Sequence, residues 1–246
     1  YGELSLLRLQ DYERPLTAAP SGEKPLEVLI VGGSPEVISA TTLSSCVQSA
    51  DYLIAVDRGA DICHTAGVIP QLVLGDFDSV SAETLSWLKG QQVPCMRFNA
   101  DKYDTDLALA LKSAEYEAIR RDSKLSLTVT STSGGQLDHQ LVVLGLLATW
   151  AKTGKASVRV IENDFEMRFL AAGQVNSWKL SATNAGKKIS LVALSEECEV
   201  SEVGMRWNLN HKKFSLLGDD GISNIVEADD ACVTCHKGCL LVQLWN

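Results

Sequence analysis

A chain of 246 residues with 46% hydrophobic side chains carries enough apolar mass for a sizeable core, as one large or two modest domains. Its formal net charge of −9 argues against a polyanionic partner such as DNA or RNA. No apolar run approaches a membrane span, so no membrane association is expected.

Residues 1–25 lack a basic segment followed by an apolar one and read as an N-terminal extension, not a signal peptide. From 26 to 163, apolar runs alternate with amphipathic stretches. Strands are expected at 26–31, 52–56, 71–74, 93–98, 125–130 and 157–161, with the clearest helices over 106–121 and 136–152. Such alternation predicts an α/β domain built on a mostly parallel sheet with helices on both faces. Ligands bind outside the carboxyl ends of such strands. Polar segments sit at these ends: Gly32-Gly33-Ser34, Asp57-Arg58-Gly59, Asp76 with Asp78, residues 101–106 and residues 131–139. Over 164–246 the helical period gives way to short alternating runs separated by turn clusters, which predicts a small all-β sandwich domain.

Two runs crowd carboxylates at neighbouring strand ends: Gly75-Asp76-Phe77-Asp78-Ser79 and Asp101-Lys102-Tyr103-Asp104-Thr105-Asp106. Like charges this close repel unless a cation neutralises them, and hard oxygen ligands suit Mg²⁺, which shares its shell with water and phosphates. A plainer reading makes Ser79 or Ser81 a helix cap and gives Asp104 a helix-start role, where carboxylates favour the dipole. Two independent clusters favour a shared metal site, with Asp76, Asp78, Asp101 and Asp106 as its ligands and catalytic groups. In Ser131-Thr132-Ser133-Gly134-Gly135-Gln136-Leu137-Asp138-His139, the Gly-Gly step lets backbone N–H groups approach a phosphate ahead of a helix N-terminus. The spacing fits neither a Walker loop nor a dinucleotide fingerprint.

The seven cysteines, without a secretion signal, read as reduced thiols of a cytoplasmic protein. Cys232-Val233-Thr234-Cys235-His236-Lys237-Gly238-Cys239 has the spacing of a haem-attachment or zinc motif, but it runs into a strand-like stretch where small thiols fit a pleated core. Packing cysteines are the expectation there. Trp207, in the β region, is by default a packing residue.

Taken together, Asp57-Arg58-Gly59-Ala60, Gly75 to Ser79, Asp101 to Asp106, Gly134 to His139, Gly204-Met205-Arg206-Trp207 and Ser223-Asn224 resemble, in order, the motifs of the thiamine pyrophosphokinases. The resemblance covers residue 26 to the end. It implies a Rossmann-like α/β ATP-binding domain followed by a β-sandwich, and transfer of pyrophosphate from ATP to thiamine with Mg²⁺. It further implies ATP contacts from Gly33, Ser34, Asp57, Arg58, Gly59, Thr105, Ser133, Gly134, Gly135, Gln136 and Asp138. Thiamine contacts fall to Trp207, Ser223 and Asn224, with the acceptor site completed across a homodimer. The sequence departs from the family pattern at Arg58 (a small glycine), Gln136 (an arginine), Ser131 (a glycine), Val143 (an asparagine) and Tyr103 (an aspartate in bacterial members). Arg58 is expected to offset the charge missing at Gln136. A pterin-alcohol pyrophosphokinase and a non-catalytic nucleotide or thiamine sensor are the competing readings.

Overall fold

A computed structural model of the protein describes residues 24–98 and 104–246. Asp101 and all but the last residues of the expected N-terminal extension lie outside the described residues. The described chain forms two compact units, one through Val143 and one from Leu144 to Asn246.

The first unit holds β1 (Leu26–Val31), α1 (Ala40–Gln48), β2 (Tyr52–Val56), α2 (Gly59–Thr65), β3 (Leu72–Gly75), α3 (Ala82–Gly90), β4 (Cys95–Arg97), α4 (Asp106–Arg120) and β5 (Leu125–Thr130). Its strands pair in parallel in the order β5-β1-β2-β3-β4. Consecutive residues are buried in β1, β2 and β3, the signature of a sheet covered on both faces. Side-chain caps set the starts of α1, α3 and α4. Ser39, Ser81 and Thr105 accept the backbone N–H groups of Thr42, Thr84 and Ala108. Of the two serines considered for the third helix, Ser81 is the cap. The fourth strand is shorter than the expected 93–98, because Pro94 has no N–H to give the ladder and contributes only its carbonyl, to Val73.

The chain enters the second unit within α5 (Leu137–Lys152). There follow β6 (Ala156–Ile161), β7 (Phe165–Ala171), β8 (Ser177–Lys179), β9 (Lys188–Ala193), β10 (Cys198–Val203), β11 (Leu209–Phe214), β12 (Asn224–Ile225), β13 (Cys232–Lys237) and β14 (Cys239–Trp245). The run expected at 157–161 is β6, whose partner within this unit is the antiparallel β7. Too few residues separate β6 from β7 for a parallel crossover. Within this unit β12-β9-β14-β7-β6 form one antiparallel array and β11-β10-β13-β8 another. Leu170, Ile189, Leu191 and Val242 of the first meet Trp178, Val200, Phe214 and Val233 of the second in one apolar core. This is the expected sandwich.

The cysteine-rich run packs as β13 and the start of β14. Strand alternation sends Cys235 inward and His236 outward, so they cannot share an ion. All seven cysteines are free. Among the described residues no group of three His, Cys, Asp or Glu is set to hold a metal, and no helix is long and apolar enough to cross a membrane.

Candidate active site

The loops that leave β1, β2 and β5 are tied to one another. Gly32 N–H donates to the Thr130 carbonyl at 2.9 Å and Ser34 N–H to the Ser131 carbonyl at 2.9 Å. The Ser34 hydroxyl donates to the Ser133 carbonyl. Arg58 Nη2 donates to the Ser34 carbonyl at 2.9 Å, so this exposed guanidinium is fastened across the loops instead of trailing in solvent. Together the loops frame a cavity of about 400 Å³, well within the size range of small-molecule sites. Seven of the expected nucleotide contacts line it: Gly33, Ser34, Asp57, Arg58, Gly134, Gly135 and Gln136. Gly134 and Gly135, at φ 86° and 80°, hold a backbone path that side-chain-bearing residues rarely adopt, directly before the N-terminus of α5.

The remaining expected contacts do other work. Gly59 is buried at the start of α2 and does not line the cavity. Thr105 caps α4. Ser133 gives its carbonyl to Ser34, and Asp138 accepts the His139 N–H at 2.9 Å. His139 and Val143 line the cavity but are absent from the expected contacts. Their spacing from Gln136, three and seven residues on, is the helical period that marks one face, and that signal was available in the sequence.

Carboxylates gather beside this cavity. Asp57, at the end of β2, has its carboxyl pushed up to about 6 by partial burial, then by the charge of Asp106 and, more weakly, of Asp76. Hydrogen bonding with Asp76, and then its charge, holds the exposed Asp78 carboxyl above the usual range. The neighbouring backbone is shaped around these groups. Phe77 N–H donates to Asp57 Oδ1 at 3.3 Å and Asp78 N–H to Asp76 Oδ1 at 3.0 Å. Gly75 is obligatory beneath them: a β-carbon there would lie 1.7 Å from Asp57 Oδ1, at a φ of 148°. Asp57, Phe77 and Ser131, at the ends of β2, β3 and β5, all have positive φ. Such backbone strain, on the order of 1–3 kcal/mol per residue, clusters at functional sites.

Asp57 therefore joins Asp76, Asp78 and Asp106, a grouping the sequence reading had split between nucleotide and metal roles. The donor set is all hard oxygen, and its Asp57 and Asp78 carboxyls are held above their usual range, which fits a hard divalent cation. The described carboxylates do not by themselves enclose an ion; a divalent cation held there would complete its shell with water and phosphate oxygens.

In the second unit Trp207 is 59% exposed, unlike a packing residue. Arg206 lies 5.7 Å from its ring and pairs with Glu227 at 2.9 Å. Asn224 is buried, and its amide grips the Trp207 backbone from both sides. Its Oδ1 accepts Trp207 N–H at 3.2 Å, while its Nδ2 donates to the Trp207 carbonyl at 2.8 Å. Ser223 is exposed at a φ of 62°, its N–H given to Ser190 Oγ at 3.0 Å. Of the three expected acceptor contacts, Trp207 and Ser223 face solvent while the Asn224 amide is occupied within the fold.

Two family profiles match in chain order: "Thiamin pyrophosphokinase, catalytic domain" over residues 43–159 and "Thiamin pyrophosphokinase, vitamin B1 binding domain" over residues 179–240. Between them they span well over half of the chain. A thiamine pyrophosphokinase of Bacillus subtilis is 25% identical over 214 residues, 87% of this chain and 95% of that protein. Among solved structures, the chain resembles a Bacillus subtilis thiamine pyrophosphokinase with a TM-score of 0.74 at 24% identity, covering 89% of this chain and 99% of that one. A thiamin pyrophosphokinase from Candida albicans gives a TM-score of 0.74 at 15% identity, covering 89% of each chain. At these identities the structural likenesses speak for the fold alone.

Proposed function

The chain belongs to the thiamine pyrophosphokinase family, and from that premise we propose that it transfers the pyrophosphoryl group of ATP to the hydroxyethyl oxygen of thiamine, giving thiamine diphosphate and AMP. The observation that carries this reading is the gathering of Asp57, Asp76, Asp78 and Asp106 beside a nucleotide-sized cavity. The comparisons favour neither a pterin acceptor nor a non-catalytic sensor.

The alcohol oxygen attacks the β-phosphorus, the bond from that phosphorus to the α,β-bridging oxygen breaks, and AMP leaves with the bond's electrons. Catalysis of this kind rests on positioning and charge stabilisation. Backbone groups of the Gly33–Ser34 and Gly134–Gly135 loops, with the N-terminus of α5, receive the phosphates. Arg58 supplies the positive charge that Gln136 does not. One carboxylate of the cluster accepts the alcohol proton as the new bond forms. A divalent cation, which we take to be Mg²⁺ with Asp76, Asp78, Asp101 and Asp106 as its protein ligands, neutralises phosphate charge when bound. Trp207 offers its indole face to the cationic acceptor, through stacking and cation–π attraction. Ser223 hydrogen-bonds the acceptor's pyrimidine, and Asn224 holds Trp207 in place.

The functional division falls near residue 163, between the end of the catalytic profile at 159 and the start of the binding profile at 179. The protein acts as a homodimer, with the acceptor site completed between copies. The exposed Leu137, Leu141 and Val142 on α5 support such an interface, since apolar patches of this kind mark association surfaces. Seven free cysteines support a cytoplasmic setting.

Incubation with Mg-ATP and thiamine, read by mass spectrometry, should yield AMP and thiamine diphosphate. AMP formed only with a pterin alcohol, or ligand binding without AMP, would overturn the reading. Arg58→Ala should raise the KM for ATP about tenfold, the loss of roughly one charge-assisted contact, and leave the KM for thiamine unchanged. An unaltered KM for ATP removes Arg58 from phosphate binding. Trp207→Ala should do the converse, raising the KM for thiamine roughly tenfold with the KM for ATP preserved.

A further inference from the structure

Behind Trp207 lies a carboxyl group that the reaction does not use. Glu202, on β10, is fully buried at 0% exposure. Strand alternation turns it inward with Cys198 and Val200. Leu209 of β11 and Val233 of β13 sit opposite it in register. Its Oε2 accepts Asn224 Nδ2 at 3.1 Å. Its Oε1 has no hydrogen-bond partner among the described residues.

An acidic side chain in an apolar interior costs stability unless its polar atoms are satisfied, and more so when ionised. Only one of the two Glu202 oxygens is satisfied, and it is satisfied by the same amide nitrogen that donates to the Trp207 carbonyl. Asn224 is thus a hub: both sides of its amide hold the acceptor-facing tryptophan, and the nitrogen also donates to the buried acid.

We propose that Glu202 is a positioning residue whose neutral form keeps the Asn224 amide clamped on Trp207, so that acceptor binding depends on the protonation of a carboxyl the acceptor never touches. The inference rests on the proposed role of Trp207 in thiamine binding. When Glu202 is neutral, its carbonyl oxygen accepts from Asn224 and the clamp stays closed. When it ionises, an anion with an unsatisfied oxygen sits in the sandwich core. Relief comes by admitting water or shifting the Asn224 amide, and either movement reaches the Trp207 backbone.

The surroundings bring the Glu202 titration into the neutral range. Burial pushes Glu202 up to about 7 despite the opposing hydrogen bond from Asn224. The titratable groups sharing that interior are the thiols of Cys198 on its own strand and Cys235 on β13. The charged pair on the Trp207 segment, Arg206 and Glu227, is exposed and mutually bonded at 2.9 Å. With a midpoint near 7, the neutral fraction falls about tenfold from pH 6 to pH 8, which sets the largest rise in apparent KM.

The test is the KM for thiamine from AMP release, measured across about pH 6 to 8 for the parent and for Glu202→Gln, a neutral isostere that keeps an acceptor for Asn224. The parent KM should rise by up to about tenfold with pH while that of Glu202→Gln stays nearly flat and low. The KM for ATP should follow the same course in both. Titration of thiamine and of the nucleotide is common to both proteins and cancels in the ratio. Parallel profiles for thiamine overturn the inference, since a merely structural glutamate would leave the pH dependence in place. If Glu202→Gln does not fold, Glu202→Met carries the test: its KM should be raised but flat, and a parent-like slope sinks the proposal. Absence of AMP from thiamine at every pH would instead refute the proposed reaction itself.

Discussion

Asp78→Asn should fold as the parent does and release AMP at least ~10²-fold more slowly, because charge stabilisation of a transferring phosphoryl group is worth several kcal/mol. The fold does not depend on the Asp78 charge. Its side chain is exposed, its backbone N–H is given to Asp76 Oδ1, and α3 begins beyond it under the Ser81 cap. Asparagine keeps the size and can still hydrogen-bond Asp76. What it removes is one anionic oxygen donor from a cluster that already strains to accommodate its charges. Melting temperature and AMP release at saturating Mg-ATP and thiamine check both halves. An intact protein with near-parent turnover would take Asp78 out of the catalytic machinery.

The change from an α/β to an all-β pattern along the chain was legible because side-chain periodicity is a local property. Amphipathic helices between Val/Ile/Leu-rich strands cannot be mistaken for the short alternating runs after residue 163. The pairing of β6 with β7 was less readable, since a lone apolar run looks the same in a parallel or an antiparallel ladder, and only the short connection between the two decides it. The carboxylate run around Asp76 and Asp78 announced itself by crowding within a few residues. Asp57 did not, because its proximity to Asp76 arises from the parallel register of β2 on β3, with Val56 opposite Leu74, and its proximity to Asp106 from the placement of the start of α4. Glu202 was harder still. In Cys198-Glu199-Val200-Ser201-Glu202-Val203, either face of the strand carries a glutamate, so alternation alone could not say which one is buried.

Asp57→Asn should separate function from stability in opposite directions: AMP release falls ~10²-fold while the ligand-free protein melts at a higher temperature. The parent carboxyl, raised from 3.8 to about 6 by burial and by Asp106, binds its proton more tightly folded than unfolded. Stability therefore carries no cost from this group below pH 3.8, and the cost grows as pH rises through 6. Asparagine removes the charge and keeps an oxygen for the Phe77 N–H, which now sits 3.3 Å from Asp57 Oδ1. Because the group is only partly buried, the relief is discounted to about 1 kcal/mol, or roughly 2–4 °C in melting temperature for a chain of this size. The gain should be present at pH 7.5 and gone near pH 4, conditions above and at the foot of the range between 3.8 and about 6. Added Mg-ATP reverses the order, since a ligand stabilises in proportion to its affinity for the folded state. It should raise the parent's melting temperature more than the variant's. A variant that melts lower than the parent at pH 7.5 without ligand would mean that the Asp57 charge is compensated within the protein. The cluster would then need no cation to hold it together.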